Sequence, residues 1–219
     1  MLRAKNNTNF KGYLKYLEEG KVQNSTVCIS QAENFKLQIN YSCLLKDFVE
    51  KKIKPIIVVP SMGRSGNISL YNSKQFISDG NYVDSENKYY DGVERTIQIE
   101  KDIKGYKFTF EIYDNVGTFE RRNNNKGKWD RVVAVFVTGQ KYQFKSWPLE
   151  NNIPTQLDQI RGFYLRYSEQ PIPEQVGNWN VKVLDIFRHK RHLDKAAHDL
   201  FWIELENFLT QPRIQKDQK

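Results

Sequence analysis

Cysteine is scarce in this sequence: Cys28 and Cys43 are the two it has. Their spacing matches neither a zinc site nor a disulfide framework, so both read as core thiols of a reducing compartment. Histidine is nearly as rare. His189, His192 and His198 crowd one region, but no carboxylate stands among them at the H-E-x-x-H spacing of a zinc hydrolase. No G-x-S-x-G elbow is present, and neither cysteine sits in a nucleophile motif. No apolar run approaches the ~20 residues needed to span a membrane. The opening "MLRAKNNTNFKG" lacks the apolar centre of a secretory signal. These absences point away from an enzyme, a metal protein and a membrane protein, and towards a soluble protein of cytosol or nucleus. The sequons at Asn6, Asn24, Asn40 and Asn67 then follow from an asparagine-rich composition.

Aromatics are plentiful. Four Trp, twelve Tyr and thirteen Phe among 219 residues supply a core and argue against disorder over most of the length. The formal charge of +8 favours an acidic partner, whether nucleic acid, phosphorylated peptide or anionic membrane.

Along the chain, residues 1–53 read as a polar, partly helical N-terminal segment, 54–212 as an α/β domain and 213–219 as a polar tail. "CLLKDFVEKKIK" places Leu44, Leu45, Phe48 and Val49 on one helical face, ended by Pro55. Ile56–Val59 is a β-branched run covered on both faces, as in a parallel sheet. "SLYNSKQFISDG" reads as a helix with Leu70, Phe76 and Ile77 inward and Gly80 as its stop. "VERTIQIEKD" and "YKFTFEIYD" form a hairpin around Lys104-Gly105. "RVVAVFVTG" is the strongest buried strand. "TQLDQIRG" reads as a helix, and "FYLRY" and "WNVKVLDIF" as strands. The last helix is expected to start at Asp194 as N-cap, with Ala197, Leu200, Phe201, Leu205, Phe208 and Leu209 as its apolar stripe. This alternation predicts a three-layer α/β domain with a mostly parallel sheet and one antiparallel hairpin.

The stretch "KPIIVVPSMGRSGNISL" has the strand–loop–helix layout of a phosphate-binding loop. It lacks the chemistry. Gly63 and Gly66 are too close together for G-x-x-x-x-G-K-[ST], and Asn67 and Ile68 stand where the cation and the magnesium-ligating hydroxyl belong. The D-x-x-G at Asp114–Gly117 is an ordinary turn sequence. No nucleotide, metal or other cofactor is expected.

Three segments, Lys54–Ile77, Trp129–Pro148 and Trp179–Trp202, together resemble the C-terminal domain of the parafibromin family, a subunit of the RNA polymerase II-associated factor (Paf) complex. The resemblance covers about residues 54–210. It implies a Ras-like α/β fold that binds no nucleotide, and a nuclear role in transcription elongation. It also implies contacts with other Paf subunits, other elongation factors, chromatin and the phosphorylated C-terminal repeats of RNA polymerase II. Tyr142 and Leu149 stand where the family often has Trp.

A phosphorylated tail needs cations for phosphate and a flat surface for an extended chain. Two stretches combine these. One holds Lys126, Lys128, Trp129, Arg131, Lys145 and Trp147; the other, "RHKRH", holds Arg188, Lys190 and Arg191 between a strand and a helix. Arginine binds phosphate with two parallel hydrogen bonds, which favours Arg188 and Arg191. Against this, Trp129 and Trp147 fit equally as core, Asp130-Arg131 as a structural ion pair, and the basic run as a solvated face. The reading is a non-enzymatic binding module; a basic nucleic-acid-binding domain is the alternative.

Overall fold

Ile56–Val58, the β-branched run after Pro55, is the central strand β1 and is buried throughout. The computed structural model describes residues 41–61, 66–84, 96–114, 129–145, 147–148 and 152–214. The chain divides into two units, Ser42–Arg213 and the pair of end segments Met1–Tyr41 and Ile214–Lys219.

Around β1 lie β2 (Ile97–Ile103), β3 (Tyr106–Tyr113), β4 (Val132–Phe136), β5 (Arg161–Tyr167) and β6 (Val181–Ile186), in the order β2-β3-β1-β4-β5-β6. The pairs β1–β3, β1–β4, β4–β5 and β5–β6 are parallel. Only β2 runs against its neighbour, as the first arm of the hairpin whose turn is Lys104-Gly105. Both turn residues have positive φ, 53° and 83°, the geometry a two-residue hairpin turn requires.

Alternate residues of the central strands feed two cores. Ile57 and Val59 join the side that holds α1 (Leu44–Glu50), α2 (Leu70–Lys74) and α5 (Asp194–Thr210). Ile56 and Val58 join the other, beneath the 3₁₀ turn Lys141–Phe144, α3 (Ile153–Gln159) and α4 (Glu174–Gly177). The architecture is therefore a mixed α/β sheet flanked by helices. Phe201 of α5 is the hub of the first core, its ring centroid 4.7 Å from Phe163 and 5.4 Å from Phe136. On α5, Glu204 reaches Arg161 at 2.7 Å and Lys182 at 2.8 Å. The hydrogen bond from Lys182, with Arg161 beside it, holds its carboxyl below the usual glutamate range.

The sequence expectations are altered at two helix ends. α2 widens into a π-helical turn over Gln75–Asp79 before the left-handed Gly80. The carbonyl of Ile77 there accepts from both His198 Nε2 (3.1 Å) and Trp202 Nε1 (2.9 Å). Asp194 is the first residue of α5 and not its cap; Leu193, last residue of a 3₁₀ turn from Arg191, stands in the cap position.

Candidate binding surface

Parallel strands share one direction, so residues entering them and residues leaving them lie on opposite edges of the sheet. Arg131 enters β4 and Arg188 follows β6. The two basic–aromatic stretches are thus at opposite ends of the domain.

The Trp129 stretch is largely structural. Trp147 is buried and packs 5.1 Å from the half-buried Trp129 and 5.1 Å from Phe144. Phe144 in turn meets Trp179 at 5.5 Å. Arg131 bonds the Glu111 carboxylate at 2.7 Å and the Lys54 carbonyl at 3.0 Å. Lys145 is exposed, and Lys126 and Lys128 lie outside the described residues.

At the other edge, the two arginines of the basic run bracket two tyrosines. The Arg188 guanidinium lies 4.0 Å over the Tyr167 ring, and that of Arg191 4.8 Å over Tyr82. The tyrosines meet edge to face with centroids 6.1 Å apart. Each guanidinium also has a carboxylate: Arg188 bonds Glu169 at 2.9 Å, and Arg191 bonds Asp194 at 2.8 Å and the carbonyl of Tyr82. The two pairs differ in burial. Arg188 and Glu169 are 42% and 50% exposed, whereas Asp194 is 3% exposed beneath Arg191. Burial pushes the Asp194 carboxyl up against the opposing pull of Arg191. The Tyr167 hydroxyl donates to Asp84 at 2.7 Å, and burial raises both tyrosine pKa values, so the rings stay neutral platforms. Lys190 is exposed beside them.

Sequence reasoning named the arginines and missed the tyrosines. Tyr167 was findable as the last residue of "FYLRY", at the exit end of a parallel strand. Tyr82 offered no signal; it arrives by way of the Gly80 turn.

Met62–Ser65 lie outside the described residues. A side chain on Gly66 would sit 3.3 Å from Thr138, and Asn67 Nδ2 donates to the Leu165 carbonyl at 3.0 Å. At the start of α2, the Ser69 N–H donates to the buried Asn72 side chain at 2.9 Å. That donor is therefore already used within the protein. Asp114, of the D-x-x-G, accepts from Ser61 Oγ through its carbonyl at 2.8 Å, and the rest of that motif lies outside the described residues. Among the described residues, no three His, Cys, Asp or Glu side chains are grouped to hold a metal ion, and no helix is long and apolar enough to cross a membrane.

Comparison with known proteins accords with this domain. The family model for the RNA pol II accessory factor, Cdc73 family, C-terminal, matches residues 51–208. Protein CDC73 homolog of Arabidopsis thaliana is 36% identical over 170 residues, 71% of this chain and 38% of its own length. Cell division control protein 73 of Saccharomyces cerevisiae is 32% identical over 160 residues, again 71% of this chain and 38% of its own. The solved conserved domain of yeast Cdc73 superposes with a TM-score of 0.63 at 30% identity, covering 71% of this chain and 96% of that one. The matched region is thus less than half the length of each of these two relatives. The chain belongs to the Cdc73 family of RNA polymerase II accessory factors, whose C-terminal domain it carries in residues 51–208.

Proposed function

We propose that this chain is a non-enzymatic docking module of the Paf elongation complex, acting in the nucleus. In this reading it helps attach that complex to elongating RNA polymerase II and chromatin by gripping phosphorylated tail repeats. Family membership supports the transcriptional setting. The strand order β2-β3-β1-β4-β5-β6, with β2 alone antiparallel, supports a Ras-like scaffold. The start of α2, where the Ser69 N–H is already taken by the Asn72 side chain, supports a scaffold that grips no triphosphate. We take the module to begin at α1, because Leu45 and Phe48 are part of its core.

One observation carries the docking reading: the Arg188–Tyr167–Tyr82–Arg191 stack at the exit edge of the sheet. Loops at this edge are the usual ligand position in open α/β sheets. Guanidinium groups seated on aromatic faces are pre-oriented for phosphate oxygens. Arg188 is the phosphate ligand in this scheme, exchanging the exposed Glu169 carboxylate for a dianion with more acceptor oxygens. Arg191 is the anchor, since it answers the buried Asp194.

The test is binding of a serine-phosphorylated polymerase-tail repeat peptide to the whole chain. Arg188→Glu with Lys190→Glu is expected to lower affinity at least about tenfold, the scale of one charge-assisted hydrogen bond lost. Arg191 is left intact so that Asp194 keeps its partner. Unchanged affinity in the double variant rejects the site. A steep salt dependence for any DNA or RNA, with no preference for the phosphorylated peptide, would favour nucleic-acid binding instead.

A further inference from the structure

We propose that the tail peptide binds by adding to the sheet as a new strand along the outer edge of β6; the proposal rests on the docking reading above. β6 ends the strand order, and among the described residues it pairs only with β5. Which of its backbone groups face outward follows from one bond. The Ser168 N–H donates to the Ile186 carbonyl at 2.9 Å, across the pairing of Tyr167 with Ile186. In a parallel ladder the residues that bond the neighbour alternate. Lys182, Leu184 and Ile186 therefore face β5, and Val183 and Asp185 turn both N–H and C=O away from it.

The two ends of the sheet are guarded differently. Edge strands ordinarily deter pairing with charge. β2 carries Glu100, Lys101 and Asp102 in succession. β6 reads Val-Lys-Val-Leu-Asp-Ile, and both its charges, though partly exposed, have partners within the domain: Lys182 has Glu204 at 2.8 Å and Asp185 has Arg166 at 2.8 Å. Val181 and Val183 stay half-exposed, and β-branched residues favour strand pairing.

Charge identifies the occupant. Directly beyond the last residue of β6 come Arg188, Lys190 and Arg191, so the edge leads into a cationic terminus. An extended peptide with a phosphorylated residue at the corresponding end satisfies both features. Backbone bonds to Val183 and Asp185 supply affinity without regard to side chain, as strand addition does, and Arg188 sets the register by its phosphate. Six residues of strand span roughly 20 Å, enough for a short repeat.

The test uses the full 219-residue chain and the same phosphorylated peptide. Amide exchange followed by NMR is expected to slow at least about tenfold at Val183 and Asp185 on peptide addition, the protection one new hydrogen bond confers. Lys182, Leu184 and Ile186 are already protected by β5 and stay as they were. Val183→Pro removes an outward donor and no ladder bond, and is expected to weaken binding about tenfold. Peptides N-methylated at alternate residues give a check that does not depend on the variant folding: one parity binds and the other fails. If Arg188→Glu weakens binding while the Val183 and Asp185 amides keep their free exchange rates, strand addition is overturned and docking stands. If both methylation parities bind equally, strand addition is overturned likewise. If neither Arg188→Glu nor Val183→Pro changes affinity, the docking reading fails and takes this proposal with it. Protection of those amides that rises with protein concentration and needs no peptide would overturn it in favour of two copies pairing edge to edge.

Discussion

The stretch around Trp129 and the stretch around Arg188 look alike in sequence, and the fold gives them opposite surroundings. Both mix cations with aromatics beside a strand. The first enters β4, meets a buried carboxylate in Glu111 and a run of aromatic rings, and becomes part of the inner structure. The second leaves β6 and keeps Arg188 at the surface, over Tyr167 and against an exposed glutamate. The difference does not lie in the stretches themselves. It lies in what distant strands bring to each: Glu111 from β3 in one case, Tyr167 and the Glu169 turn from the end of β5 in the other. A cation's role is set by whether its partner is itself removed from water.

The comparison breaks most readily at Trp147. Removing a buried indole leaves a cavity next to Phe144 and Trp129, so Trp147→Ala is expected to lower unfolding free energy by about 3–5 kcal/mol in chemical denaturation. A loss below about 1 kcal/mol, with binding abolished, would return Trp147 to the surface and to a direct role in recognition.

Much of the scaffold is legible in the sequence. Ile56–Val59 and Val132–Val137 are continuous apolar runs, which is how a strand covered on both faces must read. Lys104-Gly105 sits between two alternating segments, and Phe201, Leu205, Phe208 and Leu209 recur at helical spacing. What the sequence hid is of another kind. The π-helical turn after Lys74 depends on the Ile77 carbonyl finding His198 and Trp202, which lie more than a hundred residues away in sequence. The fate of Arg131 depends on the register that sets Glu111 beside Ile56, and the order of strands fixes that register, not any local pattern. The candidate site was half visible: the arginines stand out as a cluster, while Tyr82 is brought to them by a left-handed glycine whose consequence cannot be read from spacing.

Arg131 gives a sharper and smaller test. Its removal leaves Glu111 with little water and without its cation, so Arg131→Ala is expected to cost about 2–3 kcal/mol, more than an exposed pair allows. Arg131→Ala combined with Glu111→Gln should recover part of that loss, because the stranded charge is gone. A double-mutant cycle reads the coupling directly. Coupling near zero would mean that water reaches Glu111 freely, and the inner stretch would then resemble the outer one.

The smallest effect is expected at Arg188, and it is the most informative about function. The Arg188–Glu169 pair is exposed on both sides, and such pairs contribute little because water and salt compete for both partners. The stacking on Tyr167 adds on the order of 0.5 kcal/mol at a site this open. Arg188→Ala should therefore leave the denaturation midpoint nearly unchanged, within about 0.5–1 kcal/mol, while weakening the phosphorylated peptide. Arg188→Lys separates the two contributions to binding: it keeps the charge but loses the planar fork, and should recover only part of the affinity. If Arg188→Ala instead destabilises the domain as much as Arg131→Ala does, this arginine is committed to the structure, as Arg131 is. The exit edge would then have no cation available for exchange, and the phosphate would have to be sought elsewhere on the molecule.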